Sequence, residues 1–158
     1  MKLVVDASPL IALAGIGRLE LLRALFPEIM VPDAVLLEIS KDDKPYSREL
    51  LRRFRKDKMS ATNRVAVDFL QNDLGYGESE AIVLAIEHQA VLLVDDLKAR
   101  RFAQSENISI LGTIGVLLQG KKTGRIVSVR DDLDQLMSND IRIGNDLYRH
   151  ALSVAGEI

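Results

Sequence analysis

Short runs of aliphatic and β-branched residues recur along this chain, each followed by a longer stretch of helical spacing, and this alternation constrains the fold more than any other feature. The strand-like runs are Leu3-Val4-Val5, Ile29-Met30-Val31, Val91 to Val94 and Ile108 to Leu111. Ser8 followed by Pro9 supplies an N-cap and a first-turn proline, which predicts a helix from Pro9 to Ala14. Leu19, Leu21, Leu22, Leu25 and Phe26 line one face of a second helix that stops before Pro27. Pro32-Asp33 opens a third, with Val35, Leu36 and Ile39 as its apolar positions. Residues 45–58 read as a charged helix and 65–70 as a short one. Gly75 and Gly77 precede a strongly periodic helix through Ala81, Ile82, Leu84 and Ala85. Helices are also expected over 98–105, from Thr113 to the glycines at 120 and 124, and in two pieces over 129–155. Strands separated by helices imply βαβ units, so the expected architecture is a three-layer α/β/α domain around a parallel sheet of four or five strands. With 158 residues, 47% of them hydrophobic, the chain has material for one compact core, and a single domain over 1–158 is expected.

In such a domain ligands bind beyond the carboxyl ends of the strands, and acidic residues recur there. Asp6 follows the first strand directly, and Asp95-Asp96 follow the third. Glu38 lies one helix beyond the second strand among Val35, Leu36, Leu37 and Ile39, an apolar setting in which an unpartnered charge is costly. Glu78 and Glu80 open the helix before the third strand. Their side chains point about 200° apart, so at most one faces the site. With Gly77 as N-cap, Glu80 would reach back in capping-box fashion. Of Asp95 and Asp96, one is expected as a ligand and the other as a helix cap. Four carboxylates brought to one sheet edge repel one another unless a cation neutralises them. Oxygen donors without His or Cys select Mg2+ or Mn2+. Such ions bind phosphate and activate water, which is the apparatus of phosphodiester hydrolysis.

Composition narrows the remaining options. Cysteine is absent, so disulfides and thiolate metal sites are excluded, which suits a cytoplasmic setting. No apolar run is long enough to span a bilayer, and the opening MKLVVDAS reads as strand and turn, not as a signal peptide. The net charge is −2, so nucleic acid must be met by local basic patches. Lys98, Arg100 and Arg101 are the best placed, beginning within a helical turn of the Asp pair; residues 48–58 and 121–125 hold two further basic clusters. Arg100 has a second expected use, as the partner of a site carboxylate. Tryptophan is absent and aromatics are 4%, against a base-stacking platform. His88 and His150 have no acid–base partner at telling spacing and read as structural or surface residues.

The segments LVVDASPLIAL, VPDAVLLEI, GYGESEAIVLAIEHQAVLLVDD and ILGTIGVLLQGKKTG, in that order and spacing, resemble PIN-domain proteins over nearly the whole chain. The likeness is strongest to a prokaryotic toxin-like ribonuclease branch. It implies a metal-dependent endoribonuclease that hydrolyses RNA, the toxin of a toxin–antitoxin pair, commonly a homodimer and paired with a small antitoxin. It also implies that Asp6, Glu38, Glu78 and Asp96 are the catalytic set, within a wider set of metal-site acids that includes Glu80 and Asp95. Counting back from Asp96 selects Glu78; aligning by helix start selects Glu80. Ser8 is implied to hold a ligand or a metal-bound water. Thr113 is expected to supply a hydroxyl near the site or to cap a helix. Where the family commonly has Thr or Ser shortly before its last Asp, this chain has Val94, which leaves a second expectation open: a PIN-like module that binds nucleic acid or a protein without cutting.

Overall fold

A computed structural model of the protein describes residues 1–41 and 43–158. Its frame is a sheet with five strands among the described residues: β1 (Lys2–Val5), β2 (Glu28–Pro32), β3 (Lys58–Met59), β4 (Val91–Leu93) and β5 (Ile110–Leu111). All neighbours are parallel, in the order β3-β2-β1-β4-β5. Alternation along each strand feeds two apolar layers. Leu3, Val5, Val31 and Leu93 face one; Val4, Met30, Leu92 and Val94 face the other.

The first layer is covered by α1 (Ala7–Gly15), α2 (Glu20–Leu25), α3 (Asp33–Ile39), α4 (Ser47–Phe54), α8 (Thr113–Lys122), α9 (Val129–Ser138) and α10 (Asn145–Val154). The second is covered by α5 (Arg64–Leu70), α6 (Tyr76–His88) and α7 (Leu97–Ser105). Leu21 and Leu22 of α2 are buried in the core, so that leucine-rich helix is a packing element. No helix among the described residues is long and apolar enough to cross a membrane.

Three local expectations are corrected. The charged helix assigned to 45–58 ends at Phe54; a 3-10 turn over Arg55–Asp57 follows, and Lys58 and Met59 pair with Val31 and Pro32 as an edge strand. Both of its residues are exposed, so no apolar alternation marks it. Helix α1 begins at Ala7, with Asp6 and not Ser8 at its N-cap position. Helix α6 begins at Tyr76 with Gly75 as N-cap, two residues earlier than Gly77.

The strand order sets the site's location. From β1 the chain winds one way through β2 to β3, then returns to add β4 and β5 on the other side. The order therefore reverses between β1 and β4, and beyond the carboxyl ends at such a reversal is where open α/β sheets form their ligand crevice. Asp6 follows β1 and Asp95-Asp96 come just after β4, on either side of that reversal.

Candidate functional site

Asp6 is placed by the sheet itself. Its backbone N–H donates to the Leu93 carbonyl at 3.0 Å, extending the β1–β4 ladder one residue past β1. The residue is 4% exposed. Although it occupies the N-cap position of α1, its side chain makes no capping hydrogen bond there, so the carboxylate is left for the crevice. Burial is the main force on it and pushes its pKa up to about 7. The Ala7 backbone amide works against this, and the charges of Glu78, Glu38 and Asp95 add to it.

Glu38, on α3, reaches the same point from the other side. Gly77 lies in the first turn of α6 where α3 crosses it, and a Cβ at that position would stand 3.1 Å from Glu38 Oε1, 3.4 Å from Val35 Cγ2 and 3.7 Å from Asp6 Oδ1. Two carboxylates thus converge over a bare stretch of backbone. Replacing Gly77 with Ala favours the helix by roughly 0.5–1 kcal/mol, while its methyl displaces the flexible end of Glu38. Expected for Gly77→Ala is an unchanged or higher melting temperature together with weakened function. A protein that keeps full function with that substitution would show that the approach of Glu38 to Asp6 is immaterial.

Glu78 is the third residue of α6 and reaches back to accept from the Gly75 N–H at 3.1 Å. Burial raises its pKa; the Gly75 amide opposes the shift, and Asp96, by charge and by hydrogen bonding, together with the charge of Glu38, reinforces it. Asp96 also caps α7, accepting from the Ala99 N–H at 2.9 Å. Asp95 is engaged at α8: it accepts from the Thr113 N–H at 2.8 Å and from the Thr113 hydroxyl at 2.5 Å. Each residue of the Asp pair thus anchors the start of a helix, not just one of them.

Glu80 is not brought to this cluster. It is fully buried, and its oxygens accept from the Ala34 N–H at 2.8 Å, the Ala61 N–H at 3.1 Å and the Arg64 guanidinium. Ser8 is exposed on the first turn of α1. Thr113 is nearly buried and gives its hydroxyl to Asp95. Val94, which stands where PIN-domain proteins commonly have a hydroxyl residue, is buried in the α5–α7 layer. Its carbonyl accepts from Arg100 Nη1 at 3.0 Å, so Arg100 turns back onto β4. Gly112 permits this close approach, since a Cβ there would lie 2.7 Å from Arg100 Nη1. Lys98 and Arg101 are exposed. His88 is half-buried at the end of α6, and His150 is exposed. Sequence reasoning reads Gly77 as an N-cap, where the structure has it inside the first turn of α6 as the close-approach point for Glu38, and it does not reach Arg64, which has no local signature.

None of the ion pairs among the described residues involves Asp6, Glu38, Glu78, Asp95 or Asp96. The cluster is therefore acidic without a salt-bridged protein counter-ion. Its donors are all oxygens, which fits a hard divalent cation in kind. Among the described residues, no three acids or histidines stand close enough together to clasp an ion as they are. The acids lie near enough to feel one another's charge, Glu78, Glu38 and Asp95 acting on Asp6 and Asp96 and Glu38 on Glu78, so holding a cation would require them to draw closer.

A family model described as a PIN domain matches residues 2–157. No curated protein and no solved structure matches the chain.

Proposed function

The chain belongs to the PIN-domain family, a nuclease-type fold, and from that premise we propose that residues 1–158 act as one domain that hydrolyses RNA phosphodiester bonds with Mg2+ or Mn2+. Asp6, Glu38, Glu78 and Asp96 are the residues that would hold the ion, with Asp95 beside them. The observation that carries this reading is the convergence of Asp6 and Glu38 over Gly77 at the strand-order reversal, in a cluster with no salt-bridged counter-ion among the described residues. When bound, a divalent cation supplies an acidified water and neutralises charge growing on the scissile phosphate.

The protein's own contribution is placement. Asp6 is fixed by the β1–β4 ladder, Glu38 by the α3–α6 crossing, and Glu78 by its bond to Gly75. The Thr113 amide and hydroxyl hold Asp95. Exposed Lys98 and Arg101, on the helix that starts at Asp96, are suited to phosphate contact by charge. Arg100 supports the end of β4. A toxin role with a small antitoxin partner, a homodimer and a cytoplasmic setting rest on family resemblance. The exposed apolar residues Val65, Phe69 and Ile86 offer a second copy a surface.

The test is cleavage of single-stranded RNA with Mg2+ or Mn2+, comparing wild type with Asp6→Asn and Glu38→Gln. Cutting that a chelator abolishes and both substitutions eliminate is the expected result. Cutting that survives both, or ignores the chelator, overturns the mechanism. Asp95 and Asp96 each spend oxygens on helix-start bonds, which favours a second reading, a PIN-like module that binds nucleic acid or a protein without cutting. RNA binding by wild type without any cutting is the result that reading predicts.

A further inference from the structure

Glu80 is the most deeply enclosed acid of α6, yet it lies about 200° around the helix from Glu78 and outside the acidic crevice. Its partners explain the burial. Oε1 accepts from the Ala34 N–H at 2.8 Å and Oε2 from the Ala61 N–H at 3.1 Å. The Arg64 guanidinium closes the outer side, also donating to the Tyr76 hydroxyl at 2.8 Å and the Ala61 carbonyl at 3.3 Å. Ala34 is the second residue of α3, where backbone N–H groups lack an intrahelical acceptor. The N-cap position of α3 is Pro32, which makes no side-chain capping bond. The missing cap is supplied by another helix, and it brings negative charge to the positive end of α3.

One turn earlier on α6, Gly77 receives Val35 and Glu38 from that same α3. Helix α3 is thus fastened to α6 at two points, its N-terminus by Glu80 and its far end by the close crossing at Gly77. The second point is where Glu38 meets Asp6.

We propose that Glu80 is a positioning residue: by capping α3 from α6 it sets Glu38 opposite Asp6, and the cation affinity of the crevice depends on it without direct contact. This rests on the cation reading above. Partners bonded directly to metal ligands govern affinity by roughly 10–100-fold; Glu80 acts on Glu38 through the backbone of α3, so the lower end of that range applies.

The experiment measures Mn2+ affinity by calorimetric titration, without RNA, for wild type, Glu80→Gln, Glu80→Asp and Leu152→Ala. Leu152 is a buried residue of α10, which packs on α8 and α9, so its truncation is a remote destabilising control. All are measured well below their melting temperatures, with amide exchange of Ala34 and Ala61 followed in parallel. Gln has one acceptor oxygen for two N–H groups, and Asp is too short to reach both. Both Glu80 variants are expected to bind Mn2+ roughly 10-fold more weakly, the lower end of the range for partners of metal ligands, with faster exchange at Ala34 or Ala61, while Leu152→Ala binds as wild type does. If Glu80→Gln does not fold, Glu80→Asp decides the matter alone. Wild-type affinity in the folded Glu80 variants overturns the role of Glu80 and leaves the cation reading standing. Equal weakening in Leu152→Ala also overturns it, because the effect would then follow stability. Failure of wild type to bind Mn2+ overturns the cation reading, and this role with it.

Discussion

Asp6→Asn is expected to stabilise the metal-free protein at neutral and alkaline pH while eliminating its activity. The Asp6 carboxyl titrates at about 7 in the fold, against a reference of 3.8. Below pH 3.8 it is protonated in both folded and unfolded chains and contributes nothing. Between 3.8 and about 7 the folded chain keeps a proton that the unfolded chain has released, so stability falls as pH rises. Above 7 the carboxylate is charged in both, and the full cost of on the order of 4 kcal/mol is present. Asparagine has the same shape and no charge to bury. Its advantage should therefore grow from nothing near pH 4 to as much as roughly 10 °C in melting temperature above pH 7. Activity should fall at least about 100-fold, the upper range for losing even an outer partner of a metal ligand. Thermal melts across pH, paired with RNA cleavage assays, check both halves. A destabilised Asp6→Asn protein at pH 8 would mean that Asp6 is satisfied by something other than a cation.

Wild-type protein is expected to gain that stability back from the cation itself. Ligand at 100 times its dissociation constant stabilises by about 2.7 kcal/mol, which for a chain of this size raises the melting temperature by roughly 5–10 °C. Binding requires the Asp6 proton to leave, so the gain should increase as pH rises through about 7. Melting wild type, Asp6→Asn and Glu38→Gln with Mn2+ and then with excess chelator measures this. The rise should vanish with chelator and be largely absent in both variants. An equal rise in all three would place the bound ion elsewhere.

The parts of this site that were legible in the sequence are those in which side-chain pattern and backbone position coincide. Leu3-Val4-Val5 running into Asp6 announced a buried strand ending in an acid, and 33–39 announced a helix that carries Glu38 among apolar residues. Counting back from Asp96 favours Glu78 over Glu80, but the helix start leaves Glu80 open, because the assignment turns on whether α6 starts after Gly75 or after Gly77 and either glycine can cap it. Once the start is at Tyr76, Glu78 becomes the residue that reaches back and faces the crevice, and Glu80 turns toward Ala34. The capping chemistry was anticipated correctly in kind and assigned to the wrong glutamate. Asp95 and Asp96 were expected to divide ligand and cap roles; Thr113 and Ala99, from different helices, give both a capping bond. The edge strand at Lys58–Met59 escaped notice since two exposed residues carry no alternation to read, and its pairing is dictated by β2. Arg64 as the outer partner of Glu80 depends on how α5 docks on α6, a tertiary fact with no local signature.

The most direct test of the central claim is the position of Mn2+ located by its anomalous scattering in crystals of the protein. The account predicts an ion held by the carboxylates of Asp6 and Glu38 beyond the ends of β1 and β4, with Glu80 still bonded to the amides of Ala34 and Ala61. An ion bound away from Asp6, or one that takes Glu80 into its ligand set, would contradict it.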